Sequence, residues 1–273
     1  MKITDDTTFL SSLWDYYDAN GRHSLPWRLT EPNGSFDPYK ILVSELMLQQ
    51  TQVNRVIPKF EAFLERFPTV RHLAAASLGD VLIAWSGLGY NRRAKFLWQA
   101  AQRIVTDFDG GFPQSQAKLV TLPGVGMNTA GAIMAYAFNQ PVVFIETNIR
   151  TAYIHHYFAD RVGIGDTELR PHIERTLDME NPRVFYWALM DYGSHLKQRV
   201  GNLNKLSNSY TKQSPFAGSL RQVRGRVIKL LATGPLALEE LAFQITDPRL
   251  KDVLITLVGE GLIVRSSDTY RLA

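Results

Sequence analysis

The sequence predicts an all-α fold with a small C-terminal appendage, and three observations predict it. Apolar residues recur at three- and four-residue spacing through most of the 273 residues, which is the period of an amphipathic helix. Turn signals at Pro68, Gly87-Leu88-Gly89, Gly110-Gly111, Pro123-Gly124 and Pro141 break the pattern at short intervals, as short loops between packed helices do. Long alternating runs are missing until the C-terminus.

The elements follow in order. One helix opens at Asp37-Pro38, a cap residue followed by proline at the first helical position, and places Tyr39, Val43, Leu46, Met47 and Gln50 on one broad face. It should end near 50–52. Further helices fit 55–66, 78–84, 91–106, 115–120, 128–138, 148–158, 167–178 and 182–193. Residues 201–219 are rich in Asn, Ser, Lys and Gln and read as an irregular crossing segment or linker. Helices at 219–232, 237–245 and 247–259 follow, then two short strands about the Ser266-Ser267-Asp268 turn. Three helices and a terminal hairpin make a winged-helix-like pattern, suited to either DNA or protein contact.

Composition narrows the chemistry. With 45% hydrophobic and 21% charged residues the chain can build one large or two modest cores. No window approaches the roughly 20 apolar residues of a membrane helix, and the N-terminus lacks a signal pattern, so a cytoplasmic, membrane-free protein is expected, nucleoid-associated if prokaryotic. The absence of cysteine excludes disulfides, thiolate zinc sites, a cysteine nucleophile and a thiolate-held iron–sulfur cluster. A net charge of +4 leans mildly toward anionic partners. His155-His156, His172 and His195 lack a metal-ligand rhythm, and Trp85, Trp98, Tyr136, Tyr153 and Trp187 read as core.

Three constellations carry chemistry. In Leu122-Pro123-Gly124-Val125-Gly126-Met127-Asn128-Thr129, two glycines allow a sharp turn with N–H groups outward, and the helix that follows points its positive end the same way, as a phosphate clamp would. An ordinary turn between packed helices would look similar. Glu45 lies between aliphatic residues on both sides, where desolvation would raise its pKa toward that of a proton donor; the alternative is a glutamate on a solvent stripe. Glu146 ends the apolar run from Pro141 and precedes a helix, whose dipole should hold it ionised or which it could simply cap. Two acids pushed apart in this way suit glycosidic cleavage.

Together these stretches resemble the helix-hairpin-helix (HhH-GPD) DNA glycosylase superfamily, most closely the MutY-type adenine DNA glycosylases, over about residues 20–195. The likeness rests on Leu25-Pro26-Trp27, the string from Ser44 to Val53, Gly87-Leu88-Gly89-Tyr90, Leu122 to Gly126 with Thr129 to Ile133, and Asn148. It implies a two-lobed fold within 1–200, one lobe at about 29–138 and the other from 1–28 plus 139–200, then the 201–218 linker and a winged-helix-like domain at 219–273. It also implies that Glu45 protonates the departing adenine, that Gln50 and Tyr90 wedge into the base stack, that Asn148 orients water or a carboxylate, and that the hairpin grips duplex DNA.

Four departures shape what is expected. Glu146 stands where the family has aspartate. Asn128 replaces the lysine of related lyases, so no Schiff base can form there and a monofunctional enzyme is expected. The four cluster-binding cysteines are missing, so the following segment must be ordered by packing; its Lys197, Arg199, Lys205 and Lys212, with Arg221, Arg224 and Arg226, could contact phosphates. The tail is too short for the Nudix-like domain that often ends the family. The expected function is excision of adenine from mispairs with guanine or 8-oxoguanine, by a monomer without cofactor beyond a structural monovalent cation at the hairpin. Thymine, uracil or hypoxanthine as target, or a catalytically weak damage-binding module whose winged helix recruits a protein partner, are the alternatives.

Overall fold

A computed structural model describes residues 5–212 and 215–273. It is helical except for a small C-terminal sheet, and it divides into two compact units, one of residues 5–41, 114–120 and 125–212, the other of 42–113, 121–124 and 215–273.

The first unit contains α1 (Asp6–Asn20), α7 (Gln116–Leu119), α8 (Met127–Phe138), α9 (Thr147–Tyr157), α10 (Asp166–Thr176) and α11 (Pro182–Val200). Its core lies where α9 meets α11 and α1, with Phe9, Leu13, Tyr153, Phe185 and Tyr186 fully buried. The helices approach so closely that a Cβ on Gly193 would lie 2.1 Å from the carbonyl oxygen of Asn148, so only glycine fits. Asp191 is buried on α11 and satisfied by Arg22 and Arg28, at 2.5 and 2.8 Å. The α1 helix, absent from the periodicity reading, is capped by Asp5 and buries only Phe9, Leu13 and Tyr17, a single narrow row.

The cysteine-free segment after α11 is ordered by hydrogen bonds. A short 3-10 turn at Leu203–Leu206 is flanked by a bridge between Ile164 and Ser207. Asn204 is buried and donates to the Thr147 carbonyl and to Thr151 Oγ1, at 3.2 and 2.7 Å.

The second unit holds α3 (Val53–Arg66), α4 (Val70–Ala75), α5 (Leu78–Ala84) and α6 (Arg92–Phe108), and most of α2 (Pro38–Leu48). The six-residue α4 is too short to show a period in the sequence and is set by its Thr69 cap. Phe60, Phe63, Trp85, Leu97 and Ile104 fill this core. In the same unit are α12 (Leu220–Leu231), β1 (Leu236–Ala237), α13 (Leu238–Gln244), α14 (Leu250–Gly259), β2 (Ile263–Ser266) and β3 (Thr269–Leu272). The antiparallel sheet has the order β1-β3-β2, with Leu236 opposite Tyr270 and Ile263 opposite Leu272. The two-residue β1 adds a third strand to the expected hairpin. Lys95 of α6 donates to the Glu260 carbonyl, which ties these elements to the helices before them.

Candidate active site

The α2 helix carries the first acid. Ile41 to Ser44, Leu46 and Met47 are all buried, so this helix has no continuous solvent stripe. Glu45 is half-buried among them and is the only ionisable side chain between Ile41 and Leu48. The helix stops at Leu48, earlier than its apolar pattern suggests, and Gln50 leaves the expected face to sit exposed in a left-handed turn at φ 55°.

A buried arginine explains that turn. Arg93 Nη1 donates to the carbonyls of Leu46, Met47 and Gln49 at 2.6, 3.1 and 2.6 Å. Its Nη2 donates to Thr51 Oγ1 and to the carbonyls of Leu88 and Gly89 at 3.2 to 3.3 Å. The guanidinium thus serves the unsatisfied carbonyls at the end of α2, where a cation also complements the helix dipole, and anchors the Gly87–Gly89 turn. Tyr90, at φ 48°, follows directly. Non-glycine residues in this conformation cost energy and concentrate at functional sites; here Arg93 stands between two of them.

Gln50 and Tyr90 open on a cavity of about 520 Å³, also bordered by Arg92, Phe96, Arg221 and Arg224. Arg221 donates to the Tyr90 hydroxyl and its guanidinium lies 5.4 Å from the ring centre. Arg224 pairs with Glu260, and Arg226 donates to the Gln244 carbonyl. Three of the cations expected to face phosphates are therefore engaged within their own unit; of them, Arg221 and Arg224 border the cavity.

Along the hairpin sequence, Leu122 and Val125 are buried and serve packing. Gly124 has φ 77°, and a Cβ there would meet Phe96 Cβ at 2.7 Å, so the turn needs glycine twice over. Gly126 caps α8, whose first amides have no acceptor within the helix. Gly126, Met127 and Asn128 are exposed and Thr129 is half-buried. The outward amides fit the anion-binding reading.

Glu146 caps α9, accepting from the Asn148 amide at 3.4 Å. The helix dipole led to the expectation of a carboxyl held down in pKa, but the balance of influences runs the other way. Burial pushes the Glu146 carboxyl above its ordinary range, against the opposing pull of the Asn148 and Thr147 amides and of Arg150 and Lys197. Arg150 gives little relief, because its guanidinium is held bidentately by Asp166 at 2.8 Å. Asn148 lies in the first turn of α9, its backbone pressed by Gly193. Asn128 does not project freely from the hairpin: its carboxamide pairs with the backbone of Ile145.

Glu146 and Asn148 belong to the first unit and Glu45, Gln50 and Tyr90 to the second. Arg93 and the Ile145 contact of Asn128 were missed in sequence. Arg93 falls inside the helix expected over 91–106 with no local signal of its role, because its acceptors lie at the end of α2 and in the glycine turn. Trp85, Tyr136, Tyr153 and Trp187 are buried and Trp98 half-buried. Among the described residues no three His, Asp or Glu side chains gather to hold a metal, and no helix is long and apolar enough to cross a membrane.

Comparison with known proteins gives the family. Residues 43–177 match the family described as HhH-GPD superfamily base excision DNA repair protein. The adenine DNA glycosylase of Mycolicibacterium smegmatis is 34% identical, with 94% of this chain and 92% of that protein covered. That of Buchnera aphidicola subsp. Baizongia pistaciae is 32% identical over 81% of this chain, which spans only 63% of its length. Among solved structures, a thermostable thymine-DNA glycosylase shares the fold, with a TM-score of 0.58 at 22% identity over 69% of this chain and 86% of that one. With its string from Ser44 to Val53 running from α2 through a turn to α3 and its glycine turn before α8, the chain belongs to the adenine DNA glycosylases of the HhH-GPD superfamily.

Proposed function

We propose that this protein is a monofunctional DNA N-glycosylase that extrudes and releases adenine from mispairs with guanine or 8-oxoguanine. The observation that carries the reading is Glu45, the one ionisable residue between Ile41 and Leu48, half-buried on a helix that has no solvent stripe. Such a carboxyl is suited to give a proton to the departing base. In the proposed reaction the N-glycosidic bond breaks, the base leaves with the proton from Glu45, and water adds its hydroxyl at C1′ of the deoxyribose while its released proton replaces the one that Glu45 gave. Glu146 stabilises the oxocarbenium-like sugar, and Asn148 orients the water or the carboxylate. Extrusion needs a filler for the vacated stack, the role proposed for Gln50 and Tyr90, while outward amides at Gly126 to Thr129 hold phosphate. Arg221 and Arg224 border the cavity beside those two wedges and would meet the strand there. With no lysine at 128 the product is an uncut abasic strand. No thiolate cluster is part of the proposal; a monovalent cation on the turn's carbonyls would only fix the hairpin.

The test is base release from duplexes with defined mispairs. Release from adenine opposite guanine or 8-oxoguanine is expected, and Glu45→Gln should abolish it while duplex affinity stays within about threefold, since the acid acts in the transition state. Wild-type protein that releases no adenine from either pair would overturn the reading. Glu146 in place of aspartate favours a second reading in which thymine, uracil or hypoxanthine is the target, and the same panel decides it.

A further inference from the structure

We propose that Asn128 is a positioning residue for Glu146, holding the backbone immediately before it so that the carboxylate is presented in one place. The proposal deepens the glycosylase reading and rests on it.

Asn128 Nδ2 donates to the Ile145 carbonyl at 2.7 Å, and the Ile145 amide donates to Oδ1 at 3.3 Å. Residues 140–146 have no regular secondary structure, so Ile145 has no ladder or helix partner for these two groups, and its side chain is buried. A buried backbone group left unpaired is costly. A short carboxamide offers a donor and an acceptor together and so satisfies both; lysine only donates, and serine lacks the second arm. The far side of the same turn is also held. Asn204 donates to the Thr147 carbonyl, and Gly193 packs against the Asn148 backbone.

A glutamate carboxylate stands one torsion further from the backbone than an aspartate carboxylate, so any freedom at Ile145 spreads into a larger displacement at its oxygens. The two departures from the family pattern, Asn128 and Glu146, are on this argument one adaptation. The longer acid is used because its origin is pinned.

The experiment uses the full chain. Single-turnover release of adenine opposite 8-oxoguanine is measured for wild type, Asn128→Ala, Glu146→Gln and the double variant, with duplex Kd for each. The Glu146 carboxyl, facing Arg150 and Lys197, is titrated by carbon NMR in the free protein. Asn128→Ala should slow release by about 10- to 100-fold, the scale of an ångström's misplacement, with Kd within about threefold. It should add nothing in the Glu146→Gln background. The Glu146 titration should move down toward the ordinary carboxylate range. An equal slowing of both backgrounds, or a loss confined to Kd, would show that Asn128 acts elsewhere. An unmoved Glu146 titration overturns the proposal even if no duplex yields base, whereas absent release alongside a moved titration removes only the glycosylase reading.

Discussion

Replacing Arg93 with methionine tests whether one buried cation holds the end of α2. The side chain is 7% exposed and makes three bonds from Nη1 at 2.6 to 3.1 Å and three longer ones from Nη2. Charge-assisted bonds contribute about 1.5–3 kcal/mol each, and the two hydrogens of Nη1 are shared among its three acceptors, so the Nη1 set alone amounts to about 3–6 kcal/mol. Against this, burial lowers the guanidinium pKa from its ordinary value to about 10, which corresponds to about 3 kcal/mol spent on keeping the cation charged. The variant should therefore lose about 1–3 kcal/mol once the longer Nη2 bonds are added at the low end, since methionine needs no desolvation but leaves the Leu46 and Met47 carbonyls without a donor. Arg93→Lys, which restores a charge but not the fork, should fall between. The assay is urea unfolding, with midpoint lowered and slope unchanged, beside duplex Kd. A loss under about 0.5 kcal/mol would refute the energetic argument. A destabilised variant with undiminished affinity for a mispaired duplex would refute the claim that Arg93 sets Gln50 and Tyr90.

Three further outcomes are expected. Gly193→Ala puts a methyl 2.1 Å from the Asn148 carbonyl oxygen, so α9 and α11 must part, at a cost of at least about 1–3 kcal/mol; unchanged melting and base release would show that the helices give way freely. His156 is buried against the Tyr192 hydroxyl and its pKa is lowered to about 4, so the folded state binds fewer protons than the unfolded one. Stability should then drain away as pH falls from about 6.5 toward 4, by up to about 3 kcal/mol, and His156→Gln should flatten that slope in urea titrations. The raised Glu146 carboxyl keeps its proton where the unfolded chain has lost it, so its ionisation costs stability as pH rises above 4.5. Glu146→Gln should melt above wild type at neutral pH and level with it near pH 4, while excision is lost; equal melting at neutral pH would contradict the burial argument.

How much was legible follows from the range of each interaction. The helices of the middle of the chain show in the sequence because each buries a broad face whose period is local. The narrow stripe of α1 and the single turn of α4 give no such signal. The glycine turn before α8 is legible for the same reason, since a positive φ at Gly124 is a demand the residue itself declares. The direction of the Glu146 shift was not legible. Its N-terminal dipole is local, but its burial exists only in the folded chain, and burial is the larger influence.

By itself the sequence determined the helical class, Glu45 as a candidate acid, the place of Glu146 at a helix start and the absence of any thiolate chemistry, because spacing and residue type suffice for these. Only the tertiary structure decided that Arg93 ends α2 through carbonyls from two segments, that Asn128 holds Ile145, and that Arg221 reaches Tyr90 across 131 positions. Hydrogen-bond acceptors on a backbone carry no side-chain signature, so the partner of a polar residue becomes known only when the chain has folded to bring the two together.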